Sequence, residues 1–202
     1  MTEQPLLTLV SAPAVEPITT TEAKLYLRVS TTSEDALIGG FITSARVWIE
    51  SYTRRALITQ TWDQRFAAFP QYRNPLVLSK APVQSVSGVT YIDADGTTQT
   101  LDASYYAVRT ASGPTAGRGY LETTALMSEP STDTTVTHPV IVRTVCGYGN
   151  AASVPPGIVS ALYLLLGDLY EQRQETIVGT ISGKTQTTVE RLLGPYRLVE
   201  AV

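Results

Sequence analysis

Apolar positions in the first third of the chain recur with a helical period. Thr19-Thr20-Thr21-Glu22 has the spacing of a capping box, in which the Thr19 hydroxyl takes the third amide and Glu22 reaches back; it predicts a short helix over 19–28. After a break at 29–32, Ser33 is placed to cap a longer helix over 33–53, with Glu34 and Asp35 near its positive end. Leu37, Ile38, Phe41, Ile42, Ala45, Trp48, Ile49 and Tyr52 give that helix one broad apolar face, and Arg46 and Glu50 stand four residues apart on it. From about residue 57 the period changes to two: Ile58, Trp62 and Phe66 share one side of a strand. Short strands follow at 76–78, 87–92, 97–101 and 105–110, and Asp95-Gly96 supplies the turn of the hairpin between the second and third of these. A β-branched strand at 139–146 closes a β-rich region spanning about 57–150.

Pro155-Pro156 then opens a helix over 156–173, where a missing amide does no harm. Its first half is apolar almost all round, which predicts burial on every side. One small core can hardly cover every face, so a neighbouring subunit is the expected cover. Residues 174–187 are polar, contain Gly179 and Gly183, and read as a flexible loop; a last short helix is expected over 188–193, stopped by Gly194-Pro195. The layout predicts an α+β fold: a helical bundle of N- and C-terminal helices with a β-rich insertion in the middle. Residues 1–17 are an N-terminal extension and 18–202 one domain, and no internal repeat is visible.

Composition narrows the function. The chain has 202 residues, of which 43% are hydrophobic and 16% charged, with 11 Tyr and 2 Trp, a surface chemistry suited to burial against partners. Net charge is −3, and the lysines are Lys24, Lys80 and Lys184 alone. The twelve arginines are scattered, with Arg54-Arg55 the one adjacent basic pair. A phosphate-gripping face needs clustered cations, so tight DNA binding is not expected, whereas passage of DNA without specific binding is compatible. Cys146 is the one cysteine, so no internal disulfide can form and a reducing cytoplasm fits. The polar, acidic start has no secretion-signal pattern, and the apolar stretch 158–166 is too short to cross a bilayer.

Three motifs tempt and fail. Gly179-Thr-Ile-Ser-Gly183-Lys184-Thr185 has three residues between its glycines where a phosphate-binding loop needs four. Asp93-Ala94-Asp95-Gly96 starts like a calcium loop but lacks the later glycine and bidentate glutamate, and a hairpin turn explains it. His138 is the one histidine, and with Cys146 as the one thiol most metal and nucleophile schemes are excluded. No catalytic residue, cofactor or metal ligand is assigned. A small hydrolase or nucleotide-binding protein would need a concave polar site that no motif announces.

Several stretches taken together resemble phage head–tail connector (adaptor) proteins, a family also found in gene transfer agents. They are Ile18-Thr19-Thr20-Thr21-Glu22-Ala23-Lys24-Leu25-Tyr26-Leu27-Arg28-Val29; Glu34-Asp35-Ala36-Leu37-Ile38; Tyr52-Thr53-Arg54-Arg55-Ala56-Leu57-Ile58-Thr59-Gln60-Thr61-Trp62; Pro82-Val83-Gln84-Ser85-Val86; the hairpin from Val89 to Gly96; Gly147-Tyr148-Gly149; Val154-Pro155-Pro156 with the helix after it; and Leu192-Leu193-Gly194-Pro195-Tyr196-Arg197. Order and spacing carry the likeness, over roughly residues 17 to 198. It implies a helical bundle with a β-rich insertion. It also implies a structural role without catalysis: a homo-oligomeric ring of about twelve copies under the portal protein, at the neck of a virion assembled in the bacterial host cytoplasm. The ring would extend the DNA channel and offer a platform to the tail-side stopper or neck protein. Leu192, Leu193, Tyr196, Arg197 and Leu198 are then expected to dock into the portal, and Arg46 and Glu50, taken as exposed, to lie at the ring contact. Another neck or tail-completion protein is the alternative.

Overall fold

The computed structural model describes residues 5–71, 74–124, 128–172 and 183–198. Its described elements, in chain order, are β1 (Leu6–Ser11), α1 (Thr20–Leu27), α2 (Asp35–Thr53), β2 (Gln60–Phe66), β3 (Leu76–Leu78), β4 (Val83–Ile92), β5 (Thr98–Thr100), β6 (Tyr106–Arg109), β7 (Gly119–Thr123), β8 (Val140–Cys146), α3 (Pro156–Glu171) and α4 (Gly183–Leu193). They divide into two compact units, one from Met1–Pro13 and Thr59–Gly147, the other from Ala14–Ile58 and Tyr148–Val202.

The first unit is all β. Five antiparallel strands run in the order β1-β2-β8-β4-β5, and a second sheet has the order β3-β7-β6. β2 and β8 pair without interruption from Gln60↔Cys146 to Phe66↔Val140, so their even-numbered residues share one face. That face is buried through Gln64, Phe66, Val140, Val142, Thr144 and Cys146. Its two polar members answer each other: Gln64 Nε2 donates to Thr144 Oγ1 at 3.0 Å, and Gln64 Oε1 accepts from the Ser79 amide at 2.8 Å. On the opposite face the directly opposed Asp63 and Arg143 form a two-pronged pair at 2.8 and 2.9 Å. Gly119 starts β7 where a side chain would crowd Val83, since a Cβ there would lie 3.0 Å from Val83 Cγ2.

The second unit is helical. The expected capping box opens α1: the Glu22 amide donates to Thr19 Oγ1 at 3.2 Å and the Thr19 amide to Glu22 Oε2 at 2.7 Å. Both α1 and α2 end on an arginine in the left-handed region, Arg28 at φ 57° and Arg54 at φ 60°. Ser33 does not cap α2; its side chain meets the Thr31 hydroxyl at 2.9 Å, and Glu34 takes the cap position without a side-chain bond. Ile38, Ile42, Ile49, Leu162, Leu165, Leu166, Val189 and Leu193 form the centre of the core.

Two expectations are corrected. The fold is not a helical bundle with a β-rich insertion in its middle; it is a mixed α/β architecture whose two antiparallel sheets have a buried core of their own. The physical reason lies at the start of the chain, where Leu6-Leu7-Thr8-Leu9-Val10 pairs with β2 and makes the five-stranded sheet begin before the first helix. The apolar helix, α3, needs no neighbouring subunit to cover it: α1, α2 and α4 pack against it, and only Pro156, Ser160 and Glu171 along its length are exposed. The loop expected over 174–187 lies largely outside the described residues, and from Gly183 onward the chain is helical, so α4 starts ahead of the expected 188.

Candidate functional site

Polar chemistry gathers at two places in the helical unit. Along α2, positions 46 and 50 share a face one turn apart. Arg46 and Glu50, expected to be exposed, are buried at 8% and 9% exposure. Arg46 Nη1 donates to Glu50 Oε2 at 3.0 Å and Arg46 Nε to Glu16 Oε2 at 2.7 Å. Glu50 Oε1 accepts the Leu57 amide at 2.8 Å, so one carboxylate ties the helix to the chain that leaves it. Burial alone would lower the Arg46 pKa, but the two carboxylates around it outweigh that and hold it above the ordinary arginine value. The exposed side of α2 is different in kind. Ala36, Gly40, Ser44, Val47 and Ser51 line it, and none carries a charge.

The second place is the C-terminal end. Gly194-Pro195-Tyr196 forms a tight 3₁₀ turn after α4. Arg55, fully buried, donates through Nε to the Tyr196 carbonyl, and the Leu198 amide donates to the Thr53 carbonyl at 3.1 Å. Burial pushes the Arg55 guanidinium down, opposed by the Tyr148 phenol beside it. Arg197 sits 5.1 Å over the Tyr52 ring, which stacks on Trp48 at 5.2 Å. A Cβ on Gly157 would lie 2.9 Å from the Tyr196 hydroxyl, so the glycine leaves room for that ring.

Of the five residues expected to dock into a portal, Leu193 is fully buried in the core, Leu192, Tyr196 and Leu198 are half-buried, and Arg197 is exposed. The segment is thus stitched to its own subunit. Arg55 and Glu16 are the two residues that sequence reasoning missed. The burial of Arg55 was visible only indirectly, in the apolar run Ala56-Leu57-Ile58 that follows it.

Elsewhere the chemistry is spent on structure. The Asp93 carboxylate accepts from the Asp95 and Thr97 amides and from Gln99 Nε2, which lower its pKa and close the hairpin. The Cys146 thiol is buried and pushed up by desolvation, contrary to what a nucleophile requires. The glycine-spaced loop at 179–185 falls mostly outside the described residues. Among the described residues no group of three or more His, Cys, Asp or Glu is arranged to hold a metal, and no helix is long and apolar enough to cross a membrane.

Among the described residues ten large apolar ones are exposed, Val15 and Tyr120 included. Leu6, Leu7, Leu9 and Val10 lie on β1, Leu25 and Tyr26 on α1, and Leu37 and Val47 on α2. Leu25 is 82% exposed, and Tyr26 packs on Tyr163 with ring centres 5.0 Å apart.

A sequence model of one family matches the chain. Residues 17–108 match the model of the phage gp6-like head-tail connector protein family. The resemblance read from the sequence is borne out by that match. Solved structures are similar in fold over nearly the whole chain. One chain in the neck of an empty gene transfer agent particle, computed with C6 symmetry, superposes with a TM-score of 0.76 at 23% identity, covering 98% of this chain and 97% of that one. A chain in the virion of a native gene transfer agent particle gives 0.75 at 23% identity, with 98% and 97% covered. A chain in the neck of a native particle, computed with C12 symmetry, gives 0.67 at 22% identity, with 96% and 97% covered. At such identity the likeness is one of fold. No curated protein sequence matches the chain.

Proposed function

We propose that the chain is a structural subunit of a virion neck and not an enzyme. In this reading identical copies close into a ring of about twelve under the portal, extend the DNA channel without gripping DNA, and present a platform to the tail-side neck protein. One observation carries it: the connector signature over 17–108 lies inside a fold that matches neck proteins of gene transfer agents along 98% of this chain. The twelve-fold and six-fold symmetry used for those necks is in keeping with a closed ring. A sparsely charged surface with scattered arginines fits a channel wall that DNA slides past.

Docking on the portal falls to Leu192, Tyr196, Arg197 and Leu198, with Leu193 as their anchor in the core. Docking then means exchanging contacts now made to Thr53 and Tyr52 for contacts on the portal. Arg46 and Glu50 act on the ring contact indirectly, by fixing the helix whose uncharged side faces outward. The test is assembly: full-length chain mixed with the portal protein of the same particle should sediment with it and add a ring seen by electron microscopy. Arg197→Glu with Leu198→Asp should keep the fold and lose co-sedimentation. Binding to tail tube in place of portal would overturn the reading in favour of a tail-completion protein.

A further inference from the structure

Sheet edges present unpaired amides and carbonyls, and proteins guard them with charge, proline or short length. The three-stranded sheet follows this rule: β3 is three residues long between Pro75 and Lys80, and β6 carries Arg109, paired to Glu122 at 3.0 Å. The five-stranded sheet follows it at one edge only, through the three-residue length of β5. Its first edge, β1, has no charge and no proline, all six of its residues are exposed, and Leu6 at 56%, Leu7 at 40%, Leu9 at 44% and Val10 at 45% put aliphatic side chains on both faces. Its other edge, β5, is Thr98-Gln99-Thr100, equally uncharged and fully exposed, with the β-branched residues that strands favour.

We propose that the β1 edge of one copy pairs with the β5 edge of the next, so that the five-stranded sheets run on from subunit to subunit. The occupant of β1 is therefore a second copy of this chain. Three observations select it. The two uncharged edges are opposite ends of one sheet, so a strand pair between them leaves the same two edges on the outside and can be repeated. The edges differ in sequence, so the contact is heterologous, the type that closes rings. Pairing of β1 with itself about a two-fold axis would use up the edge after two copies. Main-chain bonds supply the register, and the neighbour's strand shields the aliphatic side chains that β1 leaves in water. This rests on the ring reading and assigns it one of its contacts.

The test uses the full-length chain on portal. Thr8→Cys together with Thr100→Cys, treated with a short bifunctional maleimide, should give a ladder of covalent multimers, and either substitution alone should give none. The native Cys146 is buried, and the unsubstituted chain serves as its control. Dimers from Thr8→Cys alone would mean two-fold pairing and would overturn the proposal. Rings that form without a ladder would overturn the edge contact and leave the ring reading standing. Failure of the unsubstituted chain to form rings would overturn both. Independently, Leu7→Lys with Leu9→Lys alters exposed positions, so the melting temperature should hold while ring formation drops at least tenfold; undiminished rings would sink the contact.

Discussion

Arg28 shows how a single residue can hold a helix end at a cost. It adopts φ 57° as the C-cap of α1, and its amide donates to the Leu25 and Lys24 carbonyls. A side chain with a Cβ is strained there, and glycine is not. We expect Arg28→Gly to raise stability by about 1 kcal/mol, read as a shift in the urea midpoint. Glu50 is the opposite case. It is buried, pairs with Arg46 and takes the Leu57 amide. Glu50→Ala leaves a buried donor unmet and a guanidinium half-paired, and should cost about 3 kcal/mol in the same assay. Charge reversal there tests the fold before it tests any ring contact. Sequence alone placed this pair four apart on one face but could not tell which face, because Glu16, the carboxylate that lets Arg46 be buried, lies thirty residues back.

At the scale of elements, α4 and the turn after it are part of the core. Val189 and Leu193 are fully buried. Deleting 188–202 should therefore unfold the helical unit, seen as loss of a cooperative melt, whereas a truncation after Tyr196 should keep it. Helix positions were the most legible feature: periodicity and the Thr19–Glu22 box located α1, α2 and α3 within a residue or two. Strands β2, β3, β4, β5, β6 and β8 were legible from alternation, β-branched residues and the breaks set by prolines and the Asp95-Gly96 turn. β1 and β7 were not. Leu6-Leu7-Thr8-Leu9-Val10 barely alternates because both of its faces meet water, and Gly119 opens β7 for the sake of Val83, a contact no local pattern contains. The covering of α3 was misjudged for a related reason: its apolar faces are covered by helices that precede and follow it in the chain.

The whole molecule carries few charges, and several of its carboxylates are tied into turns. Glu22, Asp93, Asp102 and Asp133 have folded pKa values lowered chiefly by hydrogen bonds from Thr19, Gln99, Ser104 and Thr135 respectively. Their unfolded values are about 3.9 for Asp and about 4.3 for Glu. In acid the unfolded chain therefore binds more protons, and the stability these groups add is full above about pH 5 and is lost as pH falls through the lowered folded values. The denaturation midpoint should hold near neutrality and decline toward about pH 3; a midpoint that rose on acidification would contradict the assignment. The resemblance to head–tail connectors was legible only as an order of short motifs across the chain, and the fold match extends over nearly its whole length.

No side chain of β1 is buried in the core, so its attachment to β2 rests largely on main-chain bonds and on the register from Leu6↔Arg65 to Leu9↔Trp62. Such a strand can peel away without disturbing the core, and its amides should exchange with deuterium well before those shared by β2 and β8. In the proposed ring, a free subunit would keep β1 loosely held, and pairing with a neighbour would be registered as a gain in protection along those six residues.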